Sequence, residues 1–177
     1  RKIPEAIYVQ RSINLIMKKY VLILISIFFS SCTQDQFKSE REKKIDTAKE
    51  IVMKFFIAQS EGDIKTMQSM VSEDFQYTLN GQLDISKTYY GWDEFLRFMG
   101  EFGNLLKGSV GVEFLEIIPS ENSAIILAKG KMEGVAGKYE NEYALKYTLN
   151  KDGRITTVKE YLSDLLLAQK LYGQDLC

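Results

Sequence analysis

Histidine is absent from this sequence, with 0 in 177 residues. That excludes Ser-His-Asp and Cys-His nucleophilic catalysis, imidazole general bases and every His-ligated metal site. Proton chemistry is left to Asp, Glu, Tyr, Lys or a bound cofactor. Proline is scarce, at 2 residues, and glycine stands at 12, so neither a disordered proline-rich chain nor a collagen-like one is indicated. The 2 cysteines, Cys32 and Cys177, are too few for a disulfide-stapled scaffold. Neither charge sign dominates, since 23 Lys and Arg stand against 24 Asp and Glu, a net charge of -1. Without a basic excess the chain lacks the electrostatic footprint of phosphate-backbone binding, and no nucleic-acid partner is expected. No calcium loop with alternating acidic ligands occurs, and we expect neither a metal site nor a cofactor. What remains is an ordinary globular mixture, 45% hydrophobic and 27% charged, long enough for one domain.

The N-terminal part reads as an address. Val21 to Phe29 (VLILISIFF) is an almost unbroken apolar run. It falls short of the roughly 20 residues that a membrane span requires. It suits the apolar region of a secretory signal, about 7–15 residues long. Met17-Lys18-Lys19 precedes it as a start and positive flank, and Phe29-Ser30-Ser31-Cys32 follows it. By composition alone a plain signal peptide, or a short membrane anchor with an incidental Cys, fits as well. The pattern of small residues leading into Cys32 resembles a bacterial lipoprotein signal, with Phe29 where that family usually has an aliphatic residue. The resemblance implies a signal over 17–31, lipidation of Cys32 and a lipid-anchored protein of the bacterial cell envelope, on its periplasmic or surface side. Residues 1–16 read as an upstream extension outside the fold. Thr33 to Lys44 (TQDQFKSEREKK) is polar and charged, so 32–44 reads as a tether that merges into the first helix. Cys177, at the last position, has no partner once Cys32 is acylated.

The remainder, 45–177, reads as one α+β domain. Ile45, Ala48, Val52 and Phe55 recur at helical spacing, Gly62 ends that helix, and Asp63 caps a short second one carrying Ile64, Met67 and Val71. Phe75 to Leu79 reads as a strand closed by Asn80-Gly81, with a second edge segment over Gln82 to Tyr90. After Gly91, the residues Trp92, Phe95, Leu96, Met99 and Phe102 make an amphipathic third helix. Beyond Gly108 the period changes to two. Strands are predicted over Ser109 to Ile118, Ser123 to Glu133, Tyr139 to Asn150 and Arg154 to Tyr161, with a closing helix over Asp164 to Tyr172. In the third of these strands Tyr139, Asn141, Tyr143, Leu145, Tyr147 and Leu149 share one face, and Ala124, Ile126, Ala128, Gly130 and Met132 share a face of the strand before it. Helices early and an antiparallel meander late indicate helices packed on one face of a sheet.

These elements carry a family resemblance. Phe55-Phe-Ile-Ala-Gln-Ser-Glu-Gly-Asp63, followed by Met67 to Phe75 (MQSMVSEDF), resembles the opening of SnoaL-like domains. These belong to the nuclear transport factor 2-like superfamily, together with the ketosteroid isomerases. Tyr90-Gly91-Trp92-Asp93-Glu94-Phe95 resembles that family's third-helix start, Asp152-Gly153-Arg154-Ile155 its final hairpin, and Tyr161 to Gly173 its ending. The resemblance spans about Ile45 to Gly173. It implies a cone-shaped, strongly bent and mostly antiparallel sheet wrapped around three helices, with a pocket at the open end. The isomerase catalytic positions carried over from it fall on Phe55, near Leu79 and near Leu145, which keep none of that chemistry. The His that helps SnoaL-like cyclases does not exist here.

Three functions follow as expectations. The first is binding of a small apolar or amphipathic molecule without catalysis, in a pocket drawn from Tyr77, Trp92, Phe95, Met132, Tyr143, Tyr147 and Tyr161. The second is an isomerase- or cyclase-type enzyme with Asp164 as general base, although Asp before Leu-Leu-Leu-Ala reads first as the cap of the closing helix. The third is an assembly module that dimerises through its sheet, using Val110, Val112, Phe114 and Ile118. Two further patterns read as ordinary structure. Gly134 to Lys138 is too short for a phosphate loop, Tyr139 stands where such a loop has Ser or Thr, and the segment joins two strands instead of a strand and a helix. Glu140 and Glu142 share their strand face with Lys146, as a solvated surface does.

Overall fold

The computed structural model describes residues 37–108 and 110–175. Cys32, the segments 1–16 and 17–31, and Cys177 lie outside them. The chain divides into two units, Arg1–Glu42 and Lys43–Cys177. In the first, residues 37–42 are helical. In the second, α1 covers 43–61, so the end of the expected tether is already helix. Among the described residues no helix is long and apolar enough to cross a membrane.

Ala48, Val52, Phe55 and Phe56 form the buried stripe of α1. Gly62, at a φ of 71°, turns the chain out of it, as only glycine does without strain. Asp63 then caps α2 (Ile64–Met70), accepting the Thr66 N–H at 3.0 Å and the Thr66 hydroxyl at 2.6 Å. Val71 opens β1 (Val71–Leu79) instead of closing the apolar side of α2. The strand therefore starts earlier than its apolar run: a bulge between Val71 and Gln76 carries the exposed Glu73 and Asp74 and hides the alternation. The expected edge segment shrinks to β2 (Thr88–Tyr90), because residues 80–87 form a turn held from the far end of the domain. After it comes α3 (Gly91–Gly103), with Phe95 and Phe98 buried.

The period-two region forms β3 (Gly111–Pro119), β4 (Ser123–Gly134), β5 (Gly137–Tyr139), β6 (Glu142–Leu149) and β7 (Ile155–Tyr161), followed by α4 (Asp164–Leu171). The predicted strand from Tyr139 to Asn150 is thus broken in two. Asn141 explains the break. Its buried amide accepts the N–H groups of Glu142 at 3.0 Å and Ser163 at 3.1 Å, and donates to Ser163 O at 3.0 Å and Tyr139 Oη at 3.1 Å. These bonds replace a stretch of ladder and tie the start of β6 to the start of α4.

The strands pair in the order β2-β1-β7-β6-β4-β3, with β5 on the end of β4. Only β1 and β7 run parallel; the other pairs are antiparallel. This is the expected α+β architecture, a large, curved, mostly antiparallel sheet with helices on its inner face. An aromatic cluster joins α3 to β1 and β2, with ring centroids 4.5 Å apart for Tyr89 and Phe98 and 5.0 Å for Tyr77 and Phe95. The inward face of β6 is the predicted one: Tyr143, Leu145, Tyr147 and Leu149 are all buried.

Candidate functional site

The curved sheet and its helices do not fill one another completely. They leave a cavity of about 150 Å³. Phe56, Gln59 and Ser60 reach it from α1, and Phe98, Met99 and Phe102 from α3. Tyr77 and Leu79 of β1, Met132 of β4, Tyr143 and Leu145 of β6, and Glu160 and Leu162 at the end of β7 complete the wall. Ser60, Gly103 and Val110, exposed members of the same lining, mark where it meets solvent. The lining is overwhelmingly apolar. An apolar space of this size accommodates a single six-membered ring.

Strand parity places the one ionisable carboxyl of this lining. Val158, Glu160 and Leu162 alternate with the exposed Lys159 and Tyr161, so Glu160 faces inward between two apolar neighbours. Its main chain is well held, since Glu160 O accepts Asn80 N at 2.9 Å and Asn80 Nδ2 at 3.0 Å. Its side chain has no such support. Burial alone pushes the carboxyl up from 4.5 to about 7, with neither a cation nor a hydrogen-bond donor opposing it. The residue is only half-buried by surface, because part of that surface borders the cavity.

Tyr143 is the second polar group. It is 6% exposed, and its hydroxyl makes no hydrogen bond, although the Tyr139 phenol lies close by. Burial raises its pKa far above the ordinary phenol value, and the neighbouring Tyr139 adds to this. Room for its ring comes from Gly130, where a Cβ would lie 2.6 Å from Tyr143 Oη. The small-residue face of β4 therefore accommodates a neighbouring phenol at this point. The carbonyl oxygen of Gln59 is the third, also without a partner.

Of the residues expected in a pocket, Tyr77, Met132 and Tyr143 line the cavity. Four do not. Trp92 packs against Phe75 and Phe95 at 6.2 and 5.4 Å, and Phe95 is wholly enclosed by that cluster. Tyr147 is sealed against Phe55, with ring centroids 5.9 Å apart. Tyr161 is 47% exposed, on the opposite face of β7 from Glu160. On α3 the cavity meets the helix one turn beyond Trp92 and Phe95, at Phe98, Met99 and Phe102.

Asp164 also lies outside the cavity lining. Its Oδ2 accepts the Gln82 N–H at 2.6 Å, and its carboxylate fills the space beside Gly81, where a Cβ would be 2.1 Å from Oδ1. It fastens the 80–87 turn to the first turn of α4, while Ser163 caps that helix by accepting Leu166 N at 3.4 Å. The isomerase positions are filled by packing residues. Phe55 is core, and Leu79 and Leu145 are apolar cavity wall. Gly134 to Lys138 is a tight hairpin whose Ala136 N–H binds Lys170 O at 3.1 Å. Glu140, Glu142 and Lys146 are solvent-exposed. Among the described residues no three or more Cys, Asp or Glu gather as a metal site would require.

Glu160 and Gln59 line the cavity without being among the residues expected in a pocket, and Phe98 and Met99, which the helical stripe offers equally as core, line it too. For Glu160 a signal existed. A charged residue at the centre of Val158-x-Glu160-x-Leu162 sits on the apolar face of its strand.

No described protein family and no curated protein sequence matches the chain. Solved structures do. An NTF2-like protein from Burkholderia xenovorans LB400 superposes with a TM-score of 0.59 at 20% identity, over 72% of this chain and 97% of that one. An NTF2-like protein of unknown function from Burkholderia pseudomallei K96243 gives 0.65 at 15% identity, over 71% and 97%. TerC, co-crystallised with polyporic acid, gives 0.63 at 14% identity, over 71% and 98%. At these identities the likeness shows the fold alone, which is nuclear transport factor 2-like.

Proposed function

We propose that this domain binds a small apolar or amphipathic molecule in the cavity between α1, α3 and the curved sheet, without transforming it. The single observation that carries this reading is the wall itself. Leu79, Met99, Met132, Leu145 and Leu162 make a ring-sized apolar space that stays open where close packing normally fills such a volume. The leucines at the carried-over isomerase positions support a binding role over an isomerase one. Asp164, engaged by the Gln82 N–H, does not supply a base to this space. On this reading Cys32 carries a lipid and holds the domain at the bacterial envelope.

The test is a thermal-shift series with toluene and short amphipaths on the wild type and on Met132→Trp, whose indole occupies the cavity. Stabilisation of the wild type that is lost in the variant supports the reading. No stabilisation by any of them, or an equal response in the variant, contradicts it.

A second role is supported by the exposed apolar residues of the sheet edge, of which Val110 also borders the cavity mouth. Val110, Phe114, Leu115 and Ile118 are exposed along edge strand β3 and its approach. An apolar edge of this kind suits pairing with a second copy. Light scattering that shows a dimer, dissociated by Leu115→Lys with Ile118→Lys, is the expected outcome; a monomeric wild type removes this role.

A further inference from the structure

The cavity contains a charge problem that the protein does not solve by itself. Glu160 is dehydrated in an apolar wall, and no residue of that wall is Lys or Arg. The titratable groups that share the lining are Tyr77 from β1 and Tyr143 from β6; α1 contributes Gln59 and Ser60, α3 only apolar residues and Gly103, and β4 only Met132. None of these supplies a positive charge. A buried carboxyl without a counter-ion is expensive to keep, and such groups mark places where a partner arrives from outside.

The other polar atoms of the lining point to the same kind of partner. Gln59 Oε1 is an acceptor with no donor, and the Tyr143 hydroxyl is buried with no partner. With the Glu160 carboxyl, the wall thus carries three oxygen-bearing groups that lack a donor. A primary ammonium brings three N–H donors and one positive charge. Phe56, Tyr77, Phe98 and Tyr143 put aromatic rings in the same lining, and an aromatic ring within reach favours a cation further. Folding has already taken part of the water from the Glu160 carboxyl, so an incoming amine meets a group whose dehydration is partly complete.

We propose that the cavity selects a ring-sized amphipath whose polar end is a protonated amine, with the Glu160 carboxylate as its counter-ion. This rests on the binding role given above and names the class of molecule bound. The amine carries its proton in, Glu160 is ionised in the complex, and no covalent bond changes.

The test is isothermal titration of the full chain at pH 8 with four probes of one size: benzylamine, benzyl alcohol, benzaldehyde and toluene. Benzylamine binds at least about tenfold more tightly than the other three, the effect of one desolvated charge pair. Glu160→Gln, which keeps the shape of the side chain, brings benzylamine down to the affinity of the three uncharged probes. Benzyl alcohol, benzaldehyde or toluene binding as tightly as benzylamine overturns the amine class, while the pocket reading stands. If none of the four binds, the amine class and the pocket reading fall together. The wild-type comparison decides the matter even where the variant folds poorly.

Discussion

The phenol of Tyr143 on β6 occupies the space that a side chain at Gly130 on β4 would need. An added Cβ would meet its Oη at 2.6 Å and its Cε2 at 3.0 Å. The two residues are therefore a matched pair, and the position of one cavity wall depends on the absence of an atom in the strand beside it. Gly130→Ala is expected to destabilise the domain by about 1–3 kcal/mol, the usual cost of overpacking a core. Tyr143→Phe in the same chain relieves the hydroxyl contact and restores much of that loss. Urea unfolding of the two single variants and the double variant measures this coupling; simple additivity would show that the pair is not in contact.

Glu160 makes stability depend on pH in a direction opposite to that of most carboxylates. Its folded pKa of about 7 lies above the ordinary value of 4.5. Below the lower value the group is protonated in both states, and its full contribution is present. Between the two values the unfolded chain ionises first, so stability falls as pH rises, and above the upper value the loss is complete. The whole change is on the order of 3 kcal/mol by the pKa–free energy relation, less whatever solvent reaches the half-buried carboxyl. With no His in the chain, no imidazole titrates across this window. Glu160→Gln is expected to gain on the wild type steadily from pH 5 to pH 8 in denaturant unfolding. A constant difference between them would show that the carboxyl is not buried.

Asp164 is assigned a fastening role by its bond to Gln82 N and its fit against Gly81. Asp164→Ala is expected to cost about 1.5–3 kcal/mol, the range for a hydrogen bond to a charged group. Gly81→Ala should cost as much, because its Cβ lands on the carboxylate. Toluene affinity should be unchanged in both variants once unfolding is accounted for. A selective loss of binding in Asp164→Ala would return that residue to the site.

Much of the fold was legible because alternation is a local signal. Tyr143, Leu145, Tyr147 and Leu149 announce a buried face by period alone, and Gly62-Asp63 announces a helix stop followed by a cap. The parallel pairing of β1 with β7 joins residues far apart in sequence, and no local pattern encodes it. The break at Asn141 was hidden because an amide continues the alternation while its hydrogen bonds replace the ladder. The site was legible in part, for related reasons. Aromatic residues drew attention to Tyr161, but parity on β7 turns that ring outward and its neighbour Glu160 inward. On α3, Trp92, Phe95, Phe98, Met99 and Phe102 form one apolar stripe. Which turn of that stripe opens onto space is decided by packing against β1 and β2, and the stripe itself carries no mark of it.

The central claim, that the cavity receives a ligand, is tested most directly through its two methionines. Met99 of α3 and Met132 of β4 line it from opposite elements, whereas Met53, Met67 and Met70 lie outside its lining. Carbon-13 labelling of the methionine methyl groups gives each its own NMR signal. Titration with toluene is predicted to shift Met99 and Met132 together, along one saturable curve, and to leave Met67 in place. Unmoved Met99 and Met132 signals at saturating toluene, or shifts confined to Met53, Met67 and Met70, would contradict the account.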